Sequence, residues 1–309
     1  MSRIISYLIP ALNEERHIGN CIGAIKSYTP AGFEAEIIVG DHGSTDRTAA
    51  IAAAAGARVA PFRGGTIATL RNFLVTQSTG WLIVFVDADV CITPQWGAAI
   101  EGAIAGIERE PRQITGSRCS APDSDNFIVR DWFAAMPPDN HSYLGTGHII
   151  FTRQACDEIG GFDANLRTGE DFDFCMRAQD RGYALNINPQ LRVVHYDYPQ
   201  SLGAFIRRER WHGSGDFQSV SNLLKSKIAL LTLVFIALHV AALATLLLAP
   251  LWTPLWLASL GLMMLGLSLV KFPRLGAATR MRNAFVFYCY LLGRSWSFAS
   301  QLWRPRNAA

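Results

Sequence analysis

The run WLIVFVDADV at 81–90 constrains this chain more than any other stretch. Its uninterrupted Leu-Ile-Val-Phe-Val core, bounded by Gly80 and by charge, predicts a strand buried on both faces of a sheet. Asp87 and Asp89, with only Ala88 between them, then fall at its C-terminal end, where open α/β sheets bind ligands. Two carboxylates this close repel each other and are costly to desolvate, and a divalent cation with oxygen ligands relieves both problems. Solvated acids at a strand end are the alternative, because a D-x-D triplet is short.

Charge divides the chain in two. All 25 acidic residues lie at or before Asp216, with 19 of the 28 Lys/Arg, while the remainder has nine basic residues and no acid. The pI of about 8.6 therefore averages an acidic globular part and a basic, apolar tail, and gives no reason to expect a nucleic-acid partner. The charge-free stretches 228–248 and 251–270 are each long enough to cross a hydrocarbon core. Lys225 and Lys227 precede the first, and Lys271, Arg274, Arg280 and Arg282 follow the second, which predicts a transmembrane hairpin with both outer flanks in the cytoplasm. Residues 284–303, interrupted by Arg294, Ser295, Ser297 and Gln301, read as an interfacial helix ahead of a third span. The expected division is a catalytic domain over 1–222 and a membrane module over 223–309. Residues 1–10 lack a signal-peptide pattern. The six cysteines form no C-x-x-C pair and are expected to be reduced.

Strand and helix alternate through the first hundred residues. A strand over 4–9 runs into Pro10-Ala11-Leu12-Asn13-Glu14-Glu15, with Asn13 as expected N-cap of a helix carrying Ile18, Cys21, Ile22 and Ile25. A second strand over 36–39 leads to Asp41-His42-Gly43-Ser44-Thr45-Asp46, with Ser44 or Thr45 capping an Ala-rich helix. Arg71 and Asn72 lie on a third helix, and Thr93 and Pro94 open a fourth that ends near Arg109. This alternation argues an α/β parallel sheet with carboxylates of three strands at one edge. There is neither a G-x-G-x-x-G fingerprint nor a P-loop, which excludes the usual dehydrogenase and nucleoside-triphosphatase readings. Further on, Gly169-Glu170-Asp171 opens a helix expected to bury Phe172, Cys175 and Met176, and a last strand ends at His195. Acids at a helix start are also simply favourable to the helix dipole. FIRRERW at 205–211 is either functional or a basic patch meeting anionic lipid.

Taken in order, IPALNEE at 9–15, DHGSTD at 41–46, LRN at 70–72, Asp87-Ala88-Asp89, GGFD at 160–163 and GEDFD at 169–173 resemble the family 2 glycosyltransferases. That resemblance implies a GT-A fold (Rossmann-like, with a mostly parallel central sheet) and a nucleotide-sugar donor. It further implies that Pro10, Leu12, Glu14 and Asp41 hold base and ribose. Asp87 and Asp89, with Ala88 between, would meet the donor through Mg²⁺ or Mn²⁺, which acts as a Lewis acid on the leaving diphosphate. Arg71 and Arg118 are candidate phosphate contacts. Asp171, with Glu170 beside it, matches the catalytic acid pair, so that attack opposite the diphosphate inverts the anomeric centre. His195 is either a third metal ligand or a packing partner of Tyr196. Arg207, Arg210 and Trp211 match, by residue type, a motif near acceptor or diphosphate in some membrane-bound members. His42 departs from the Asp or Asn usual in the family and leaves the nucleotide open.

The expectation is an inverting, metal-dependent glycosyltransferase, multi-pass in the cytoplasmic (inner) membrane with its catalytic domain in the cytoplasm. Its acceptor is lipid-linked or a glycan, as in polyprenyl-phosphate glycosyltransferases. A polysaccharide-synthase-like transferase and a non-catalytic scaffold with the same fold are the alternatives.

Overall fold

The computed structural model describes residues 3–136 and 143–302. Residues 137–142 of the 120–147 loop and residue 303 of the expected last helix lie outside that range. Packing separates two compact units, Met1–Pro122 with Pro138–Asp197, and Asp123–Pro137 with Tyr198–Ala309. The boundary by packing thus precedes the one drawn from charge at 222/223, and the 123–137 segment joins the second unit. The reason lies in that segment: buried Asp131 is held by Arg282 at 2.8 Å, and the Trp132 ring packs 4.7 Å from Phe287.

The first unit runs β1 (Ile4–Ala11), α1 (Ile18–Tyr28), β2 (Glu34–Asp41), α2 (Thr48–Ala54), β3 (Arg58–Pro61), α3 (Ile67–Gln77), β4 (Leu82–Val86), β5 (Val90–Ile92), α4 (Pro94–Arg109), β6 (Gln113–Gly116) and β7 (Cys119–Ser120). It continues after the second-unit segment with β8 (His148–Thr152), α5 (Arg153–Ile159), α6 (Glu170–Asp180), β9 (Ala184–Ile187) and β10 (Val193–His195). The main sheet has the order β3-β2-β1-β4-β8-β6-β9. Strands β1 to β4 pair in parallel, as does β6 with β9, while β8 runs antiparallel to both its neighbours. The sheet is mostly parallel, as expected.

β4 explains why its sequence is apolar without alternation. Leu82, Val84 and Val86 face one core layer, shared with Ile5, Tyr7 and Ile9 of β1. Ile83 and Phe85 face the other, with Leu8, Ile149 and Phe151. Both faces of the strand are dry, so every position has to be hydrophobic. A smaller sheet, β5-β10-β7, sits where the chain leaves β4 through the two acids.

Several local expectations change. Asn13 does not cap α1: it adopts φ 58°, and its side chain accepts from Thr45 N at 2.9 Å, a loop-to-loop bond that periodicity does not reveal. α2 starts at Thr48, after Ser44 and Thr45, because Ser44 Oγ is engaged by Asn13 N. In α6 the buried aromatic is Phe174 and Phe172 is exposed. By contrast Thr93 caps α4, accepting from Trp96 N, with Pro94 at its first position, as read.

The second unit contains a π-helical turn (Val129–Phe133), α7 (Leu202–Asp216), α8 (Val220–Lys225), α9 (Lys227–Leu248), a 3₁₀ turn (Pro250–Trp252), α10 (Thr253–Lys271) and α11 (Ala277–Leu302). Two helices, Lys227–Leu248 and Pro250–Lys271, are long and apolar enough to cross a membrane, with only 11% and 17% of their most apolar windows buried. A soluble core helix would be mostly buried. α7 and α11 approach closely at Gly293, where a Cβ would stand 2.7 Å from Ile206 O. Beside that crossing Arg294 pairs with Glu209 at 3.0 Å and Asp216 at 2.7 Å.

Candidate active site

Parallel pairing brings the strand ends into one rim. Ala11 is in register with Asp41, Asp41 with Pro61, and Leu8 of β1 with Phe85 of β4. Pro10 is buried, Leu12 is half-exposed, and Asp41 accepts from Ser44 N at 3.0 Å in a tight turn. His42 is turned toward Gly64 O, at 3.1 Å, and packs against Phe62.

The acids beyond β4 diverge. The peptide turns there, with Val90 N bonding Asp87 O at 2.9 Å, and Ala88 is buried between the two carboxylates. Asp87 accepts from Arg71 Nη2 at 3.3 Å. Asp89 meets His195 Nε2 at 3.1 Å, because β10 pairs antiparallel with β5 and sets His195 opposite Val90. Burial first, then the charge of Asp87, pushes Asp89 up to about 7. Glu14 is pushed up to about 8 by burial and by Asp89, Asp197, Asp87 and Asp46. Carboxylates that hold protons this tightly belong to a rim short of positive charge. Asp197 belongs to this group and was not legible as a site residue.

Arg71 and Glu170 are joined to each other in the structure. The Arg71 guanidinium is buried, and donates to Glu170 Oε1 at 2.5 Å as well as to Asp87. With its ends on two carboxylates it forms a strut between the rim and the start of α6. Glu170, buried and paired, is the other end of that strut. Asp171 is the acid that keeps accessible surface. Its Oδ1 accepts from Phe172 N at 2.8 Å, and burial followed by the charge of Glu170 pushes it up to about 6.

A cavity of about 130 Å³ is lined by Ser117, Arg118, Cys119, Tyr143, Leu144, Gly145, Gly147 and Ile187. Two of its glycines touch the acids: a Cβ on Gly147 would lie 3.3 Å from Asp87 Oδ2, and one on Gly145 3.6 Å from Asp171 Oδ2. Arg118 thus lines a cavity two of whose glycines neighbour Asp87 and Asp171. Beneath it His148, unmarked by any sequence motif, accepts from Trp96 Nε1 at 2.8 Å and faces Ser117 Oγ at 3.0 Å. Complete burial lowers His148 to about 3, so it is neutral. Only a polar residue inside an apolar strand could have flagged it. Arg207, Arg210 and Trp211 are exposed on α7, with the Arg210 guanidinium 4.7 Å from the Trp296 ring.

Among the described residues no group of three or more His, Cys, Asp or Glu stands close enough together to hold a metal ion as the side chains are placed. The Asp89–His195 pair, with Asp87 on the far side of Ala88, offers carboxylate and imidazole donors on a carboxyl-rich rim. That donor set fits a hard divalent cation, with Arg71 competing for Asp87.

A mostly parallel sheet with clustered acids at its strand ends, and an acid-bearing helix N-terminus beside them, defines a GT-A fold. The fold is similar to that of the mannosyltransferase PcManGT from Pyrobaculum calidifontis, solved with GDP-Man and Mn²⁺, at a TM-score of 0.59, 18% identity, and coverage of 97% of this chain and 87% of that one. A model of glycosyl transferase family 2 matches residues 6–194, and one of glycosyl transferase family group 2 matches 125–296. The chain belongs to glycosyl transferase family 2 and is a glycosyltransferase. Glycosyltransferase AglE of Haloferax volcanii is 25% identical over 228 residues, covering 69% of this chain and 73% of AglE. Glucosyl-3-phosphoglycerate synthase of Mycolicibacterium smegmatis is 39% identical over 164 residues, 46% of this chain and 53% of that protein. The chain thus spans most of the first relative and about half of the second.

Proposed function

We propose that this enzyme transfers a sugar from a nucleoside-diphosphate sugar to a lipid-linked or glycan acceptor, with inversion, at the cytoplasmic face of a membrane. The observation that carries the reading is that two glycines lining one small cavity neighbour two different acids: a Cβ on Gly147 would lie 3.3 Å from Asp87, and one on Gly145 3.6 Å from Asp171. Asp89, Asp87 and His195 would hold Mg²⁺ or Mn²⁺, which when bound neutralises charge on the leaving diphosphate. Pro10, Leu12, Glu14 and Asp41 line the rim where a nucleoside would lie, and Arg118 faces the anionic end of the donor. Arg71 and Glu170 act by holding Asp87 and the start of α6 in place.

For a hydroxyl acceptor, the oxygen attacks the anomeric carbon as the bond to the diphosphate breaks, and Asp171 takes the hydroxyl proton. At about 6 its affinity for that proton exceeds an ordinary aspartate's, yet it is mostly ionised at neutral pH. For a phosphate acceptor, already anionic, Asp171 positions the nucleophile. The apolar α9 and α10 and the basic residues beside them support a lipid acceptor and membrane attachment. Arg207, Arg210 and Trp211, exposed on α7, supply the cationic and stacking groups such an acceptor or the diphosphate needs. The test is release of nucleoside diphosphate from nucleotide sugars by the purified protein, with Mn²⁺ and with chelator. Turnover only with Mn²⁺ supports the reading, and neither turnover nor Mn²⁺-dependent nucleotide binding overturns it in favour of a scaffold.

A further inference from the structure

Among the described residues Asn13 is the only one other than glycine with a positive φ, 58°. That conformation is sterically costly for an L-residue, and Asn visits it because its short polar side chain can bond nearby backbone. Here the bond goes to a different loop. β1 and β2 end together, with Ala11 in register with Asp41, and one more bond, His42 N to Ala11 O at 2.9 Å, closes the ladder.

Beyond the ladder the two chains stay joined by other means. The left-handed turn at Asn13 goes with three successive amides that reach the loop after β2: Asn13 N donates to Ser44 Oγ at 2.9 Å, Glu14 N to Thr48 Oγ1 at 2.7 Å and Glu15 N to Asp46 Oδ2 at 3.1 Å. That loop bonds back. Thr45 N donates to Asn13 Oδ1 at 2.9 Å, Thr45 Oγ1 donates to the same oxygen at 3.3 Å, and Arg47 N donates to Glu15 Oε2 at 3.3 Å. All of these amides lie outside the strands and helices, so the cross-bonds satisfy groups that would otherwise need water.

The consequence falls on the side chains beside Asn13. Leu12 precedes it and is half exposed, and Glu14 follows it and is partly buried. Both lie on the rim with Asp41, which accepts from Ser44 N at 3.0 Å. Ser44 therefore serves both loops: its hydroxyl takes Asn13 N and its amide holds Asp41. A ligand that meets Leu12, Glu14 and Asp41 together finds them fixed relative to one another by bonds among protein groups, so little loop freedom is lost when it binds. Asn13 adds no charge to this rim, and its Oδ1 is already engaged by Thr45.

We propose that Asn13 is a positioning residue for donor binding: it clasps the loop after β1 to the loop after β2 and so preassembles the platform of Leu12, Glu14 and Asp41 on which the nucleoside sits. The proposal rests on the reading of this rim as the nucleoside end of a nucleotide-sugar site.

Three variants of the full chain separate the clasp from other roles. Asn13→Gly tolerates the left-handed backbone and removes the acceptor for Thr45. Asn13→Asp keeps the acceptor and loses only the amide nitrogen. Ser44→Ala removes the other half of the clasp from the opposite loop. Calorimetry with Mn²⁺ measures the dissociation constants of adenosine, cytidine, guanosine, thymidine and uridine diphosphates, at high ionic strength so that the charge added by Asp is screened. Release of nucleoside diphosphate gives kcat and KM for the nucleotide sugar that the parent turns over. Asn13→Gly and Ser44→Ala are each expected to weaken binding about five- to tenfold and to raise the donor KM by a similar factor with kcat held within about twofold, while Asn13→Asp stays within about threefold of the parent. General unfolding moves the other parameter, because it lowers the active fraction and hence kcat but leaves KM where it was. Unchanged binding and KM in Asn13→Gly or in Ser44→Ala overturn the proposal, and so does a loss confined to kcat. A loss in Asn13→Asp as large as in Asn13→Gly also overturns it, since the amide nitrogen would then meet the ligand directly. A parent that binds none of the diphosphates and turns over no nucleotide sugar removes the nucleoside reading itself, and the proposal with it.

Discussion

Arg71 donates to Glu170 across 2.5 Å, with both side chains more than nine-tenths buried, and its other terminal nitrogen reaches Asp87. A residue of α3 thereby fixes the acid after β4 relative to the first turn of α6. Glu170→Gln leaves the buried guanidinium with one anionic partner, and Arg71→Met leaves two carboxylates without their cation. Breaking a buried pair from one side costs roughly 3–5 kcal/mol. Chemical denaturation is expected to register a loss of about that size for Arg71→Met and a smaller one for Glu170→Gln. Losses under about 0.5 kcal/mol for both would mean that the strut carries little.

Asp171→Asn is expected to lower kcat for donor hydrolysis by roughly 10²–10⁴, the usual contribution of a general base, with the donor KM changed little. In the parent enzyme kcat is expected to fall as pH drops through about 6, where Asp171 becomes protonated, and the variant should lack that limb. The same shift bears on stability. A carboxyl whose folded value lies above its unfolded value of 3.8 favours the fold at low pH, and this contribution declines as pH rises from about 4 to about 6. A pH–rate profile of unchanged shape in Asp171→Asn would assign the base elsewhere.

His148 works in the opposite sense. Burial lowers it from 6.5 to about 3, so the folded state resists a proton that the unfolded chain accepts. Its contribution is intact above about 6.5 and is lost progressively as pH falls toward 3. Melting curves between pH 7 and 4.5 are expected to show less acid destabilisation in His148→Asn than in the parent, even if the variant is less stable at pH 7. Equal slopes would contradict a neutral His148.

Much of this was legible because the relevant signals are local. The unbroken apolar run of β4 follows from burial on both faces, and the cap at Thr93 with Pro94 follows from one turn of backbone. The rim could be foreseen because parallel strands end together. Burial and pairing of distant side chains could not. Arg71 and Glu170 match family positions, yet their mutual neutralisation requires α3 and α6 to meet, which no spacing encodes. Asn13 was misread as a cap because its φ of 58° and its bond to Thr45 arise from a second loop. The 123–137 segment joins the second unit through Asp131 and Arg282, residues 151 positions apart.

In that second unit Arg294 is the cation shared by Glu209 and Asp216. Burial alone would raise Glu209, but Arg294 and Arg208 outweigh it and hold the carboxyl below its usual range. Arg294→Met is expected to destabilise by roughly 3–5 kcal/mol, because Glu209 stays buried with its main partner gone. Adding Glu209→Gln should recover part of that loss, and a double variant no more stable than the single one would contradict the pairing.

The central claim is that Asp87 and Asp89 form a metal-dependent donor site, and the most direct measurement is a thermal-shift titration of nucleoside diphosphates with and without Mn²⁺, on the parent and on Asp89→Asn. Binding to the folded state raises the melting temperature by mass action. The account predicts a shift for one nucleoside diphosphate in the parent that requires Mn²⁺ and disappears in Asp89→Asn. An equal shift without Mn²⁺, or one unaffected by Asp89→Asn, would contradict it.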